Sequence, residues 1–116
     1  MQIEFCKSKI AHATITEAEL FYEGSITVDA NLLKAVDIIP GEKVEILNIN
    51  NGARFTTYTI AGKAGSGEIC LNGPAARLGV IGDKIIILSY CLLDQAKAKK
   101  FKMKIIHLDS HNRIKK

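Results

Sequence analysis

Tyr22-Glu23-Gly24-Ser25 is where this chain holds most of its chemistry. A primary hydroxyl directly follows a peptide carbonyl that belongs to a glycine. Taken alone the pair reads as a turn, because glycine supplies positive φ and serine hydrogen-bonds locally. Further along, Arg54, Thr56 and Tyr58 alternate with Phe55, Thr57 and Thr59. In an extended strand the first three share one face and the second three the other. On alternation alone, Arg54 is a solvated strand arginine and Tyr58 a half-buried tyrosine. Asn72-Gly73 by itself is a turn. Lys7 and Lys9 flank Ser8 and point the same way if that segment is extended. His107, Asp109 and His111 would share a strand face, but a metal site wants a fourth ligand or an open water position, and no metal is expected. Gly-x-Ser-x-Gly is absent, which argues against a serine hydrolase.

The elements that must position these residues belong to one domain, since the chain has 116 residues. A hydrophobic content of 47% is too high for disorder. No apolar run reaches the roughly 18 residues that span a bilayer. Met-Gln-Ile-Glu-Phe has neither the basic nor the apolar region of a secretion signal, so a cytoplasmic protein without a membrane partner is expected. Cys6, Cys70 and Cys91 are odd in number and widely spaced, as buried thiols in a reducing compartment are. The net charge of +4 is misleading, because residues 97–116 carry eight basic side chains against one acid, Asp109. A nucleic-acid footprint would cross the whole domain. The basic tail, from about residue 100, reads instead as a solvated, fraying end, and no nucleic acid is expected.

Strands are predicted at 3–5 and 11–16, with a short helical turn over Thr16-Glu17-Ala18-Glu19 capped by Thr16. Residues 20–22 and 25–29 are β-rich, and a short helix opens at Asp29 or Ala30 and runs to Val36. Val44–Ile49 and Arg54–Ile60 form a hairpin about Asn51-Gly52. Ile69–Leu71 is a strand, and Asn72-Gly73-Pro74 is a turn opening a helix. Lys84–Leu93 is the best central strand, residues 94–100 suit one helical turn, and Met103–Leu108 is a last strand.

Residues 31–48 align without gaps onto 72–89 at an offset of 41, with six of 18 positions identical. The shared plan is a short helix, a Gly-acid turn and an apolar strand. Two copies are too few for a solenoid and suit a barrel with pseudo-twofold symmetry. The Gly41-Glu42 and Gly82-Asp83 turns resemble those of double-psi β-barrels.

Several stretches stand in one order: Lys7-Ser8-Lys9-Ile10, Ala13-Thr14-Ile15-Thr16-Glu17-Ala18, Tyr22 to Asp29, Asn50 to Tyr58 and Glu68 to Arg77. Together they resemble the bacterial aspartate 1-decarboxylase family, from about residue 5 to about residue 90. The resemblance implies a mainly β fold, a double-psi β-barrel with short helices, assembled as a homotetramer with active sites between subunits. It implies self-cleavage at Gly24-Ser25 into residues 1–24 and 25–116, either spontaneous or assisted by a maturation helper. Ser25 would become a pyruvoyl group that forms a Schiff base with L-aspartate and replaces an added cofactor. β-Alanine for pantothenate and coenzyme A would be the product.

Carried over position by position, Arg54 resembles the clamp for a substrate carboxylate. Lys9 resembles a second cation, Tyr58 the proton donor, and Thr57 the residue that hydrogen-bonds the Gly24 carbonyl during cleavage and meets the substrate. Asn72, Gly73, Pro74 and Ala75 resemble the loop lining the pocket. Alternation sets Thr57 on the face opposite Arg54 and Tyr58, so a bulge, twist or neighbouring subunit must reconcile the three. Two places depart from the family pattern. Ala11 stands where a histidine is usual and His12 where an arginine is usual. Pro74 replaces an alanine and lacks an N–H. The rival reading is a non-enzymatic β-barrel binding module whose basic tail contacts acidic partners or RNA.

Overall fold

The two segments offset by 41 residues meet in the middle of the sheet. In the computed structural model, which describes residues 1–116, β4 (Lys43–Asn48) pairs antiparallel with β7 (Lys84–Asp94), and Ile46 stands opposite Ile87. These are equivalent residues of the repeat, so a local twofold axis passes between them. The Gly-acid turns obey it. Ile39 N–H donates to Glu42 Oε1 at 3.1 Å, and Val80 N–H donates to Asp83 Oδ2 at 3.1 Å. Gly41 N–H reaches the Thr59 carbonyl at 2.7 Å, and Gly82 N–H the Ile15 carbonyl at 2.8 Å. Return bonds run from Thr59 N–H to Glu42 O and from Ile15 N–H to Asp83 O. Each turn is thus laced into a distant extended segment by a reciprocal pair, giving the interlocked halves of a double-psi β-barrel.

The remaining elements are β1 (Gln2–Thr14), β2 (Glu17–Glu19), β3 (Ser25–Asp29), α1 (Ala30–Ala35), β5 (Arg54–Gly62), β6 (Ile69–Asn72), a 3₁₀ turn (Gly73–Arg77), α2 (Gln95–Ala98) and β8 (Lys104–His107). Strand order is β2-β6-β3-β5-β4-β7-β1-β8. The pairs β1–β8, β2–β6 and β3–β5 are parallel. Alternate residues of β3 and β6 (Ile26, Val28, Ile69, Leu71) meet Ile46, Ile85 and Ile87 in one core. Each such fully buried branched side chain stabilises the barrel by roughly 1.5–3 kcal/mol. α1 closes one end with Leu32 and Leu33. Its cap Asp29 is buried, which pushes its carboxyl up, but N–H groups of Gly67, Asn31 and Gly65 more than offset this and hold it below the ordinary range. No helix is long and apolar enough to cross a membrane.

Four expectations change. The first two predicted strands are one, β1, with irregularities at Cys6/Ser8 and Ile10/Ala13. The first turns Lys7 away from Lys9, and Lys7 Nζ meets Glu42 at 2.9 Å and the Asp37 carbonyl at 2.7 Å. Residues 17–19 are β2 rather than a helical turn. Thr16 Oγ1 donates to Ile69 O and accepts from Ile69 N–H, so a long-range strand pairing outweighs a local capping box. Residues 20–22 form no strand but bend into the loop that precedes Ser25. Finally, the basic end is tied down as far as Arg113. Leu108 is in the core, and buried Asn112 accepts from Thr14 N–H and donates to the Thr14 and Gly67 carbonyls. Its amide satisfies backbone groups that would otherwise be orphaned at strand ends.

Candidate active site

Ser25 opens β3, and antiparallel register sets it opposite Asn72, with Thr27 opposite Cys70. Ile26, Val28, Ile69 and Leu71 point into the core, so period-two alternation puts these four polar side chains together on the other face. Asn72 Nδ2 donates to Ser25 Oγ at 2.8 Å and to Thr27 Oγ1 at 2.9 Å. Cys70 Sγ donates to Asn72 Oδ1 at 3.2 Å. Ser25 is wholly buried.

The segment before Ser25 passes over Gly73. A Cβ on Gly73 would lie 2.5 Å from the Tyr22 carbonyl oxygen and 2.7 Å from Gly24 N, and its φ of 69° also suits glycine. Gly24 has φ 111°, and a Cβ there would touch the Pro74 ring at 3.8 Å. Pro74 sits at the start of the 3₁₀ turn, where the N–H it lacks has no partner within the turn.

A cleft of about 380 Å³ opens against Gly24. Of the expected residues, Gly24, Thr57, Tyr58, Asn72, Pro74 and Ala75 line it, while Ser25 and Gly73 lie buried beside it. The apparent conflict between Thr57 and Tyr58 is resolved by an edge. β4 pairs with β5 from Arg54 to Tyr58, whereas β3 pairs with it only from Thr59 onward. Residues 54–58 therefore present an open edge toward Gly24, and a cleft along an edge is bordered by side chains of both faces. Running the Ile26–Thr59 register back two residues brings Gly24 level with Thr57.

The two expected cations are elsewhere. Lys9 lies on β1, four places from β3 in the sheet, opposite Leu88 and Ile105. Arg54 begins β5, and its guanidinium lies 3.3 Å from Glu45 Oε1. Of the residues lining the cleft, Glu23 is the charged one. Beside it, Phe21 is 97% exposed and Tyr22 53% exposed, an apolar surface unusual next to a polar site.

The sequence pattern missed Cys70 and Thr27 as site residues, although each lies two positions from a residue it did identify. It also missed the cleft residues Phe55, Thr56 and Leu78. His107, Asp109 and His111 do not gather: the Asp109 carboxylate accepts the N–H groups of His111 and Arg113.

A family described as aspartate decarboxylase matches residues 1–115. The chain belongs to that family. It is 56% identical over 113 residues to the aspartate 1-decarboxylase of Thermoanaerobacter pseudethanolicus, covering 97% of each chain. Against the aspartate 1-decarboxylase of Caldicellulosiruptor saccharolyticus identity is 55% over 116 residues, covering all of this chain and 91% of the relative. The aspartate 1-decarboxylase of Carboxydothermus hydrogenoformans is 53% identical over 116 residues, again with 91% of it covered.

Proposed function

We propose that this chain decarboxylates L-aspartate to β-alanine and CO₂, serving pantothenate and coenzyme A synthesis, after cutting itself between Gly24 and Ser25. The observation that carries the reading is the Asn72–Ser25 hydrogen bond in a corner that Gly73 leaves open for the Gly24 backbone. It agrees with the family membership.

Cleavage balances as follows. Ser25 Oγ bonds to the Gly24 carbonyl carbon, the carbon–nitrogen bond breaks, and the hydroxyl proton ends on the Ser25 nitrogen. Loss of the Ser25 α-proton and of the Gly24 carboxylate leaves a dehydroalanine, and water then replaces ammonia to give the pyruvoyl group. The ester is less stable than the amide, so the corner must stabilise the oxyanion that precedes it. Thr57, level with Gly24, is the side chain we assign to that carbonyl.

Ser25 fits such a precursor: it is buried, held by one amide donor, and covered toward the cleft by Gly24, which leaves on cleavage. A pyruvoyl ketone supplies the electrophile for the substrate amine and takes up the electron pair that CO₂ leaves behind. Tyr58, on the cleft wall, is the proton donor to the product carbon. Asn72, Pro74 and Ala75 bound the substrate, with Gly73 holding their loop against the chain. Lys9 and Arg54 bind the substrate carboxylates from a neighbouring copy, because in one chain neither lines the cleft. A homotetramer with sites between subunits also covers Phe21 and Tyr22.

Intact-mass measurement under denaturing conditions tests this directly. Two chains divided after residue 24 are expected, the larger blocked by a ketone and trapped by borohydride with aspartate. A chain that stays whole after prolonged warming, with no β-alanine formed, overturns the reading.

A further inference from the structure

Ser25, Thr27, Cys70 and Asn72 form a square of side chains on the face of β3 and β6 turned from the core. Asn72 is its hub, and its carboxamide could in principle stand either way round. In the observed orientation every polar atom of the carboxamide is used. Both Nδ2 hydrogens meet hydroxyl oxygens and Oδ1 receives the Cys70 thiol. Turned over, the NH₂ group would face sulfur, a weak acceptor, and leave buried N–H groups poorly paired. What distinguishes the two ends is therefore the thiol.

We propose that Cys70 is a positioning residue for chain cleavage, its S–H fixing the Asn72 carboxamide so that the amide donates to the Ser25 hydroxyl. The assignment rests on Gly24-Ser25 being the self-cleavage site. An oriented amide makes Ser25 Oγ the acceptor of that bond. The hydroxyl's own hydrogen then stays free to pass to the Ser25 nitrogen as the oxygen bonds to the Gly24 carbonyl carbon. A carboxamide turned the other way would accept that hydrogen and compete with the transfer. Cys70 itself gains and loses nothing in the step. It must only keep its proton, and burial, with Glu17, Glu68 and Glu19 adding to it, pushes its thiol up to about 11.

The test is a cleavage time course. Full-length chains made by pulse-labelled cell-free synthesis are followed by intact mass for the wild type, Cys70→Ala, Cys70→Ser, Asn72→Ala and the Cys70→Ala/Asn72→Ala double variant. Thermal melts in a Ser25→Ala background measure fold stability separately. Cys70→Ala is expected to slow cleavage about tenfold, the size of one neutral hydrogen bond. Cys70→Ser keeps a donor and recovers the rate. The double variant should be no slower than Asn72→Ala alone, because Cys70 acts only through Asn72. The assignment is overturned if Cys70→Ala cleaves as fast as the wild type, if Cys70→Ser is as slow as Cys70→Ala, or if the Cys70→Ala effect persists without Asn72. A wild-type chain that never cleaves overturns the self-cleavage reading as well, so the two failures are distinct.

Discussion

The corner around Gly24 and Ser25 and the cationic pair are built on different scales. Everything at the corner comes from one chain and within a few residues of β3 and β6: Gly24, Ser25, Asn72 and Gly73 are joined by strand register, a 2.8 Å hydrogen bond and backbone contact. Lys9 and Arg54 sit on other strands, and Arg54 is paired with Glu45 instead of facing the cleft. The contrast suggests a division of labour. On the proposed reading, self-cleavage is a reaction within one fold, whereas binding a dicarboxylate draws on surfaces that one fold does not bring together.

The largest effect that could break this contrast is at Gly73. Gly73→Ala forces a Cβ into the Tyr22 carbonyl and the Gly24 backbone at a positive φ. The overlap and strain together cost about 4 kcal/mol, which slows cleavage on the order of a thousandfold. The mass time course reads it directly, and normal cleavage would mean that the corner is not closed as described. Next come the cations. Arg54→Ala and Lys9→Ala should cleave at the wild-type rate yet lose about a hundredfold in kcat/KM, the size of a charge pair left without its partner at about 3 kcal/mol. Mixed oligomers sharpen the point. Arg54→Ala chains co-assembled with Ser25→Ala chains should regain activity, since each lacks what the other supplies. Activity that stays absent in verified mixed oligomers argues for cations acting within their own chain.

Tyr58→Phe should leave cleavage intact and lower kcat by about a hundredfold, with KM nearly unchanged, as loss of a proton donor does. Steady-state kinetics on fully cleaved protein separates this from a folding defect. The smallest effect is on pH dependence. Asp29 and Glu42 both lie outside the corner with carboxyls held below their ordinary values. Burial raises Glu42, and its bonds from Lys7, Ser89 and Ile39 more than offset that. A depressed folded-state value gives stability that is fully present above the unfolded value, near pH 4, and is lost as pH falls through the folded one. Acid unfolding followed by circular dichroism should begin below about pH 4, and Glu42→Gln should flatten that dependence without changing the cleavage rate.

Much of this molecule was legible in the sequence because it depends on short-range patterns. The helix capped by Asp29, the Asn51-Gly52 hairpin and the central strand Lys84–Leu93 follow from capping, turn chemistry and apolar runs. The 41-residue repeat went further and foretold two interlocked halves, since equivalent glycines and acids must make equivalent turns. Residue types also singled out Ser25, Tyr58 and Asn72 through a family resemblance that the comparisons bear out. Tertiary structure alone decided the rest. Thr16 found Ile69 rather than its own helical turn, and Asn112 found Thr14 and Gly67 rather than solvent. Thr57 and Tyr58 share a cleft because β3 stops short of them. Which strand lies beside which, and where a pairing ends, is set by contacts far apart in the chain. Alternation along one strand assigns its two faces, but only the neighbouring strand determines whether its edge is closed.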